Sequence, residues 1–185
     1  LGGVHGALRE RILAEPVVGA DETWWRLMQG KGSKRYWAWS VTGEDSVFYR
    51  ILDSRSQTSA RALLGDYHGV VMVDGYGAYQ ALAKSGAGFR LAHCWAHARR
   101  KFVDAEAHFP EPSREMLDRI GELYQVEREA VASLEIRAEL RNERSRPIVA
   151  GIRECAVALL GSALPKSSLG EALSYLLSLW DGLIR

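Results

Sequence analysis

Residues 70–73, Val70-Val71-Met72-Val73, form an uninterrupted apolar run that is closed at once by Asp74 and Gly75. A run of this length and β-branched content reads as a strand buried on both faces at the centre of a sheet. Asp74 then falls at the carboxyl end of that strand. In open α/β sheets, ligands and reacting groups collect at such ends, so the aspartate is a site candidate before any motif is considered.

The flanking sequence supplies the rest of a sheet. Residues 4–15 have helical spacing of Leu8, Ile12 and Leu13 and stop before Pro16, which predicts a lead-in helix over 1–16. From Val17 three short strands follow as a meander: VVGADET, YWAWSVTG and SVFYRILD, the last two joined by a turn at Gly43, Glu44 and Asp45. SQTSARALLGDY reads as a short helix with polar caps at its start and Gly65 near its end, GAYQALAKSG as a second, and FRLAHC as a last strand. The order is β-β-β-α-β-α-β over 17–109. From Trp95 onward the chain reads as helical, with a break at Pro110 and long periodicity over 114–146. Strands first and helices later define an α/β (α+β) chain with a helical segment over 110–185.

With 185 residues and 47% apolar content, the chain can build one substantial core and an appended subdomain. No stretch approaches the roughly 20 apolar residues of a membrane span, and no signal sequence opens it, so a soluble, cytoplasmic protein without a membrane partner is expected. Cys94 and Cys155 match no disulfide or zinc framework. The net charge of +1 hides an uneven distribution: 14 Lys/Arg against 11 Asp/Glu in residues 1–110, but 6 against 9 in residues 111–144. A nucleic-acid surface on the first part is permitted rather than demanded.

Three constellations could carry chemistry. Asp21 and Asp74 each end up on a predicted strand, and neighbouring strands could bring them together. Paired carboxylates repel unless a cation lies between them, and hard oxygens favour Mg²⁺ or Mn²⁺. The competing reading is that either aspartate merely caps a turn, since Asp-Gly is a turn signal. HCWAHARRKF (93–102) spreads Arg99, Arg100 and Lys101 over a helix, where they could contact phosphates or form a solvated face; His93, Cys94 and His97 lack a fitting fourth zinc ligand. GKGSKRYW (30–37) departs from the phosphate-loop pattern and reads as a basic hairpin tip, its Lys31, Lys34 and Arg35 either DNA contacts or a plain exposed turn.

Taken together, ADET (20–23), the Tyr36-Trp37-Ala38-Trp39 strand, SRSQTSARALLGDYHG, VDGYGAYQAL and above all CWAHARRKF resemble the transposases of the insertion sequence 66 family. The resemblance implies a ribonuclease H-like mixed sheet with flanking helices and a helical insertion. It also implies an Asp-Asp-Glu triad holding two divalent ions, Mg²⁺ or Mn²⁺, that cleaves and transfers strands at transposon ends. By that resemblance Asp21 is the first acid and Asp74 the second, both metal ligands, and Gly75 lets the chain turn away from the metal site. Its partners would be DNA, as transposon ends and target, and further copies of itself. The family's third acid lies in an Asn-Asn-x-x-Glu-Arg motif that does not occur here. The chain is therefore expected to be a core fragment, inactive alone. Asp104 and Glu106 lie near the spacing of some integrases, but the resemblance assigns their helix to CWAHARRKF. The alternative from another class is a non-catalytic DNA-binding or oligomerisation remnant.

Overall fold

The computed structural model describes residues 2–29, 32–130 and 133–185, which fall into two compact units, Leu1–Cys94 with Arg185, and Trp95–Ile184.

The first unit opens with helix α1 (Gly2–Leu13), followed by strands β1 (Val17–Gln29), β2 (Gly32–Thr42) and β3 (Val47–Leu52). Helix α2 (Gln57–Leu64), strand β4 (Val70–Val73), helix α3 (Gly77–Lys84) and strand β5 (Arg90–His93) complete it. The five strands form one mixed sheet in the order β3-β2-β1-β4-β5. β1, β2 and β3 pair antiparallel, as the meander predicts, while β4 lies parallel to both β1 and β5. Parallel neighbours need a crossover, and α2 and α3 provide it. Local chemistry sets the ends of α2: the Ser56 hydroxyl accepts from the Ser59 backbone N–H at 3.3 Å, and Gly65, at φ +62°, donates its N–H back to Arg61.

Alternation along the strands sends Val18, Ala20, Trp39, Val41, Val71 and Val73 to one side of the sheet, where they bury against Ile12 of α1, Leu63 and Leu64 of α2 and Tyr79 and Leu82 of α3. Trp39 is fully buried and meets the Tyr79 ring edge-on, with centroids 5.9 Å apart. β4 is central in the sheet, as the apolar run predicts, but it is buried on one face only. Val71 and Val73 are inside, whereas Met72 is 41% exposed.

The second unit is helical: α4 (Trp95–Glu106), α5 (Pro110–Glu129), α6 (Leu134–Leu140), a π-helical turn (Arg141–Ser145), α7 (Arg146–Leu160), α8 (Ser168–Ser178) and α9 (Trp180–Leu183). Its core gathers Phe102 of α4, Met116 and Ile120 of α5, Ile152 of α7 and Leu173 and Leu176 of α8. Trp95 packs edge-on against Trp180 and donates its indole N–H to the Leu183 carbonyl at 2.9 Å. Pro110 does not simply break the chain; it starts α5, where its missing N–H costs nothing. The periodicity over 114–146 is not one helix, because α5 ends at Glu129 and α7 begins at Arg146. Among the described residues, no helix is long and apolar enough to cross a membrane.

Candidate active site at the strand ends

The parallel register of β1 and β4 pairs residue 17 with 70, 18 with 71 and 19 with 72, and Asp21 and Asp74 keep the same separation. The two aspartates are thus level on neighbouring strands, each two residues past the last pair of the ladder. Within β1, parity sends Val18, Ala20 and Glu22 into the core, as it does Val71 and Val73 of β4, and leaves Asp21 exposed on the opposite side; Asp74, one residue past β4, is half-buried. Each carboxylate is oriented by a backbone donor. The Glu22 N–H donates to Asp21 Oδ1 at 2.9 Å, and the Tyr76 N–H donates to Asp74 Oδ1 at 2.8 Å. The latter closes a turn over Gly75, whose φ of +96° suits glycine alone, so the turn reading and the site reading of Asp-Gly describe the same geometry.

Behind this pair lies a buried ionic cluster. The Glu22 side chain is fully buried on the core face of β1. Arg55 donates to its Oε1 through Nε at 2.7 Å and Nη2 at 2.6 Å, and the Tyr79 hydroxyl donates to Oε2 at 2.8 Å. The Arg55 guanidinium lies 3.6 Å from the Tyr76 ring centroid and 4.9 Å from that of Trp37, and the Tyr76 hydroxyl donates to the Arg55 carbonyl at 2.7 Å. Burial lifts the Glu22 carboxyl above its usual range, with the bonds from Tyr79 and Arg55 pulling the other way. The Tyr79 phenol is held far above the ordinary range, first by burial and then by the charge of Glu22, so it remains a donor.

His93, at the end of β5 and paired with Val73, is buried, and that burial lowers its pKa below 6.5. Its neutral form is therefore the folded form. Above pH 6.5 it is neutral in both folded and unfolded chains and has no effect. Below 6.5 the unfolded chain takes up the proton first, so stability falls on acidification. Denaturant midpoints measured from pH 7.5 to 5.0 should drop more steeply for the wild type than for His93→Gln, and parallel profiles would contradict this.

Both carboxylates are hard oxygen donors of the kind that a divalent ion such as Mg²⁺ or Mn²⁺ takes. Among the described residues no group of three or more His, Cys, Asp or Glu side chains is arranged to hold a metal ion. Glu22 adjoins Asp21 in sequence but faces the core and is engaged by Arg55 and Tyr79. Asp104 and Glu106 lie in the second unit on α4, where Glu106 pairs with Arg114 at 2.9 Å.

The predicted basic contacts fall in separate places. Arg99, Arg100 and Lys101 are exposed on α4, and Lys101 Nζ lies 5.4 Å from the Tyr175 ring centroid. Arg99 lines an open cleft with Asp118, Glu122 and Arg128, so that part of the surface carries both signs of charge. Arg35 is exposed on β2. Lys31 lies outside the described residues, as does the side chain of Lys34. Sequence reading overlooked three residues: Glu22, Arg55 and Arg26, which the β1–β2 register sets directly opposite Arg35. Like charges facing each other across a ladder repel, and an anion between them relieves that cost.

Comparison with known proteins places the chain. The model of the transposase IS66 family matches residues 1–185. The uncharacterized protein y4jD of Sinorhizobium fredii is 36% identical over 200 residues, covering 95% of this chain and 39% of that protein. A second protein from the same organism, y4qI, is 36% identical over 197 residues, covering 95% of this chain and 36% of the other. The chain thus spans about two fifths of the length of the curated relatives it matches. The full-length match to the family model and the similarity of these relatives lead to one assignment: the chain belongs to the transposase IS66 family.

Proposed function

We propose that this chain is the core of a metal-dependent DNA transposase that cleaves and transfers phosphodiester bonds at transposon ends, with Asp21 and Asp74 as two of its three acids. The observation that carries the reading is their common register on adjacent parallel strands, Asp21 within β1 and Asp74 one residue past the end of β4. The strand order β3-β2-β1-β4-β5, antiparallel in its first half and parallel in its second, supports a ribonuclease H-like sheet. The third acid that the family resemblance implies belongs to an Asn-Asn-x-x-Glu-Arg motif that these 185 residues do not contain.

In this reading Asp21 and Asp74 present hard oxygens to Mg²⁺ or Mn²⁺, two ions in the complete enzyme. Bound divalent ions activate a water or a terminal hydroxyl and stabilise the leaving oxygen of a phosphodiester. The chain's own task is placement: the Glu22 and Tyr76 amides fix one oxygen of each acid, and Gly75 turns the backbone away after Asp74. With two acids alone, strand transfer by these 185 residues should be slight.

Titration with Mn²⁺, followed calorimetrically, tests the proposal. The chain should bind the ion, and Asp74→Asn or Asp21→Asn should weaken binding by about tenfold, because each removes one carboxylate ligand. Binding that is indifferent to both substitutions would overturn the assignment.

A further inference from the structure

The β1–β4 ladder ends at Gly19 and Met72, two residues short of both aspartates. Ladder hydrogen bonds therefore do not hold the acids level, and beyond the ladder strands tend to splay with their twist. β1 runs on past Asp21, paired with β2, whereas β4 stops at Val73, so some other contact must tie the Asp74 turn to β1 if the two acids are to act as a pair.

The buried cluster does this, link by link. Glu22 follows Asp21 on β1, and its N–H orients that carboxylate. Its own side chain is bonded to Tyr79, on α3 immediately after the Asp74 turn. It is also bonded to Arg55, in the segment leading into α2. Arg55 in turn stacks on Tyr76 and accepts the Tyr76 hydroxyl at its carbonyl, and the Tyr76 N–H orients Asp74. An unbroken path of short contacts thus runs from one aspartate to the other around the end of the ladder.

We infer that Glu22, Arg55, Tyr76 and Tyr79 are positioning residues that hold Asp21 and Asp74 level where the β1–β4 pairing has stopped. The charges of Asp21 and Asp74 are felt at Tyr79, and that of Asp74 at Glu22, so the cluster lies close to both acids. It acts on them through two backbone amides. A carboxylate buried beside an exposed acid is costly unless donors compensate it, and Glu22 has three, two from Arg55 and one from Tyr79. The inference rests on the proposed role of the aspartates as a pair, but the geometry it describes can be measured without metal.

Tyr79→Phe removes one hydroxyl and leaves the ring in the core. In the 185-residue chain without metal, amide exchange followed by NMR should quicken about tenfold at Tyr76 and Glu22, while Val71 and Leu63 keep the wild-type rate. In a parallel titration well below the thermal midpoint of either chain, Mn²⁺ should bind about fivefold more weakly than to the wild type. Unaltered exchange at both Tyr76 and Glu22 would overturn the positioning role whatever the metal does. A wild-type chain that binds no Mn²⁺ would instead overturn the functional reading, with the exchange result still deciding the cluster. Should Tyr79→Phe fail to fold, Glu22→Gln keeps an acceptor for Tyr79 and loses only the charge, and the same amides report the outcome.

Discussion

Replacing Arg55 by methionine should lower the stability of the first unit by about 3 kcal/mol, the low end of what removing one partner of a buried ion pair costs. The low end applies because the two partners differ in burial. The Glu22 side chain has no exposed surface, whereas that of Arg55 is 32% exposed, so water can replace part of what the guanidinium supplies. What remains for Glu22 is the Tyr79 hydroxyl, and one hydrogen bond cannot offset the desolvation of a carboxylate. Loss of the stacking on Tyr76 and Trp37 adds to the effect. The double substitution Glu22→Gln with Arg55→Met removes the charge along with its partner and should recover most of the loss. A double-mutant cycle in urea, read by tryptophan fluorescence, therefore separates the ionic coupling from the packing. Acidification supplies a second check. Without Arg55 the carboxyl of Glu22 is raised further, so the deficit is complete at neutral pH and shrinks as pH falls toward the carboxylate range. A loss under about 1 kcal/mol at pH 7 would mean that Glu22 is solvated in a way its burial does not allow.

The same residue marks how far the sequence can be read. Alternation along VVGADET puts Val18, Ala20 and Glu22 on one side and Asp21 on the other, so a carboxylate at a core position was visible in principle. Its partner was not. Arg55 comes 33 positions later, after two hairpin turns, and only the register of β1 with β2 and the placement of α2 bring it to Glu22. Asp74 was legible as a candidate because it closes an apolar run, although Asp-Gly is equally a turn signal, and its register with Asp21 depends on a strand pairing that no local pattern encodes. Val70–Val73 declares a central strand; it does not declare what lies on each face, and Met72 turns out to be exposed. In the second unit, continuous helical periodicity concealed a turn. Arg141 bonds Glu127 at 2.6 Å and Arg144 bonds Glu129, so charges that look like a solvated face at helical spacing are paired across the connection that follows α5.

Reversing Arg99 and Arg100 together to glutamate should weaken the affinity of the chain for duplex DNA on the order of a hundredfold at 50 mM salt, if α4 carries the DNA contacts proposed for it. Both side chains are exposed, and among the described residues neither has an ion-pair partner that would hold it back from a phosphate. Each reversal deletes one attraction and adds one repulsion. The salt dependence distinguishes this from a general loss of structure: with about 0.9 counterions released per phosphate contact, log K against log salt should become shallower by about 1.8. The neighbouring acids on α5 sharpen the expectation, because Asp118 and Glu122 share the cleft that Arg99 lines and already set a negative field there. Reversing the arginines leaves Arg128 alone among the arginines of the cleft to offset that field. Mn²⁺ affinity should be unchanged, since Asp21 and Asp74 lie in the other unit. An unchanged slope with unchanged affinity would move the DNA surface away from α4 and toward the hairpin, where Arg26 and Arg35 face each other across the ladder.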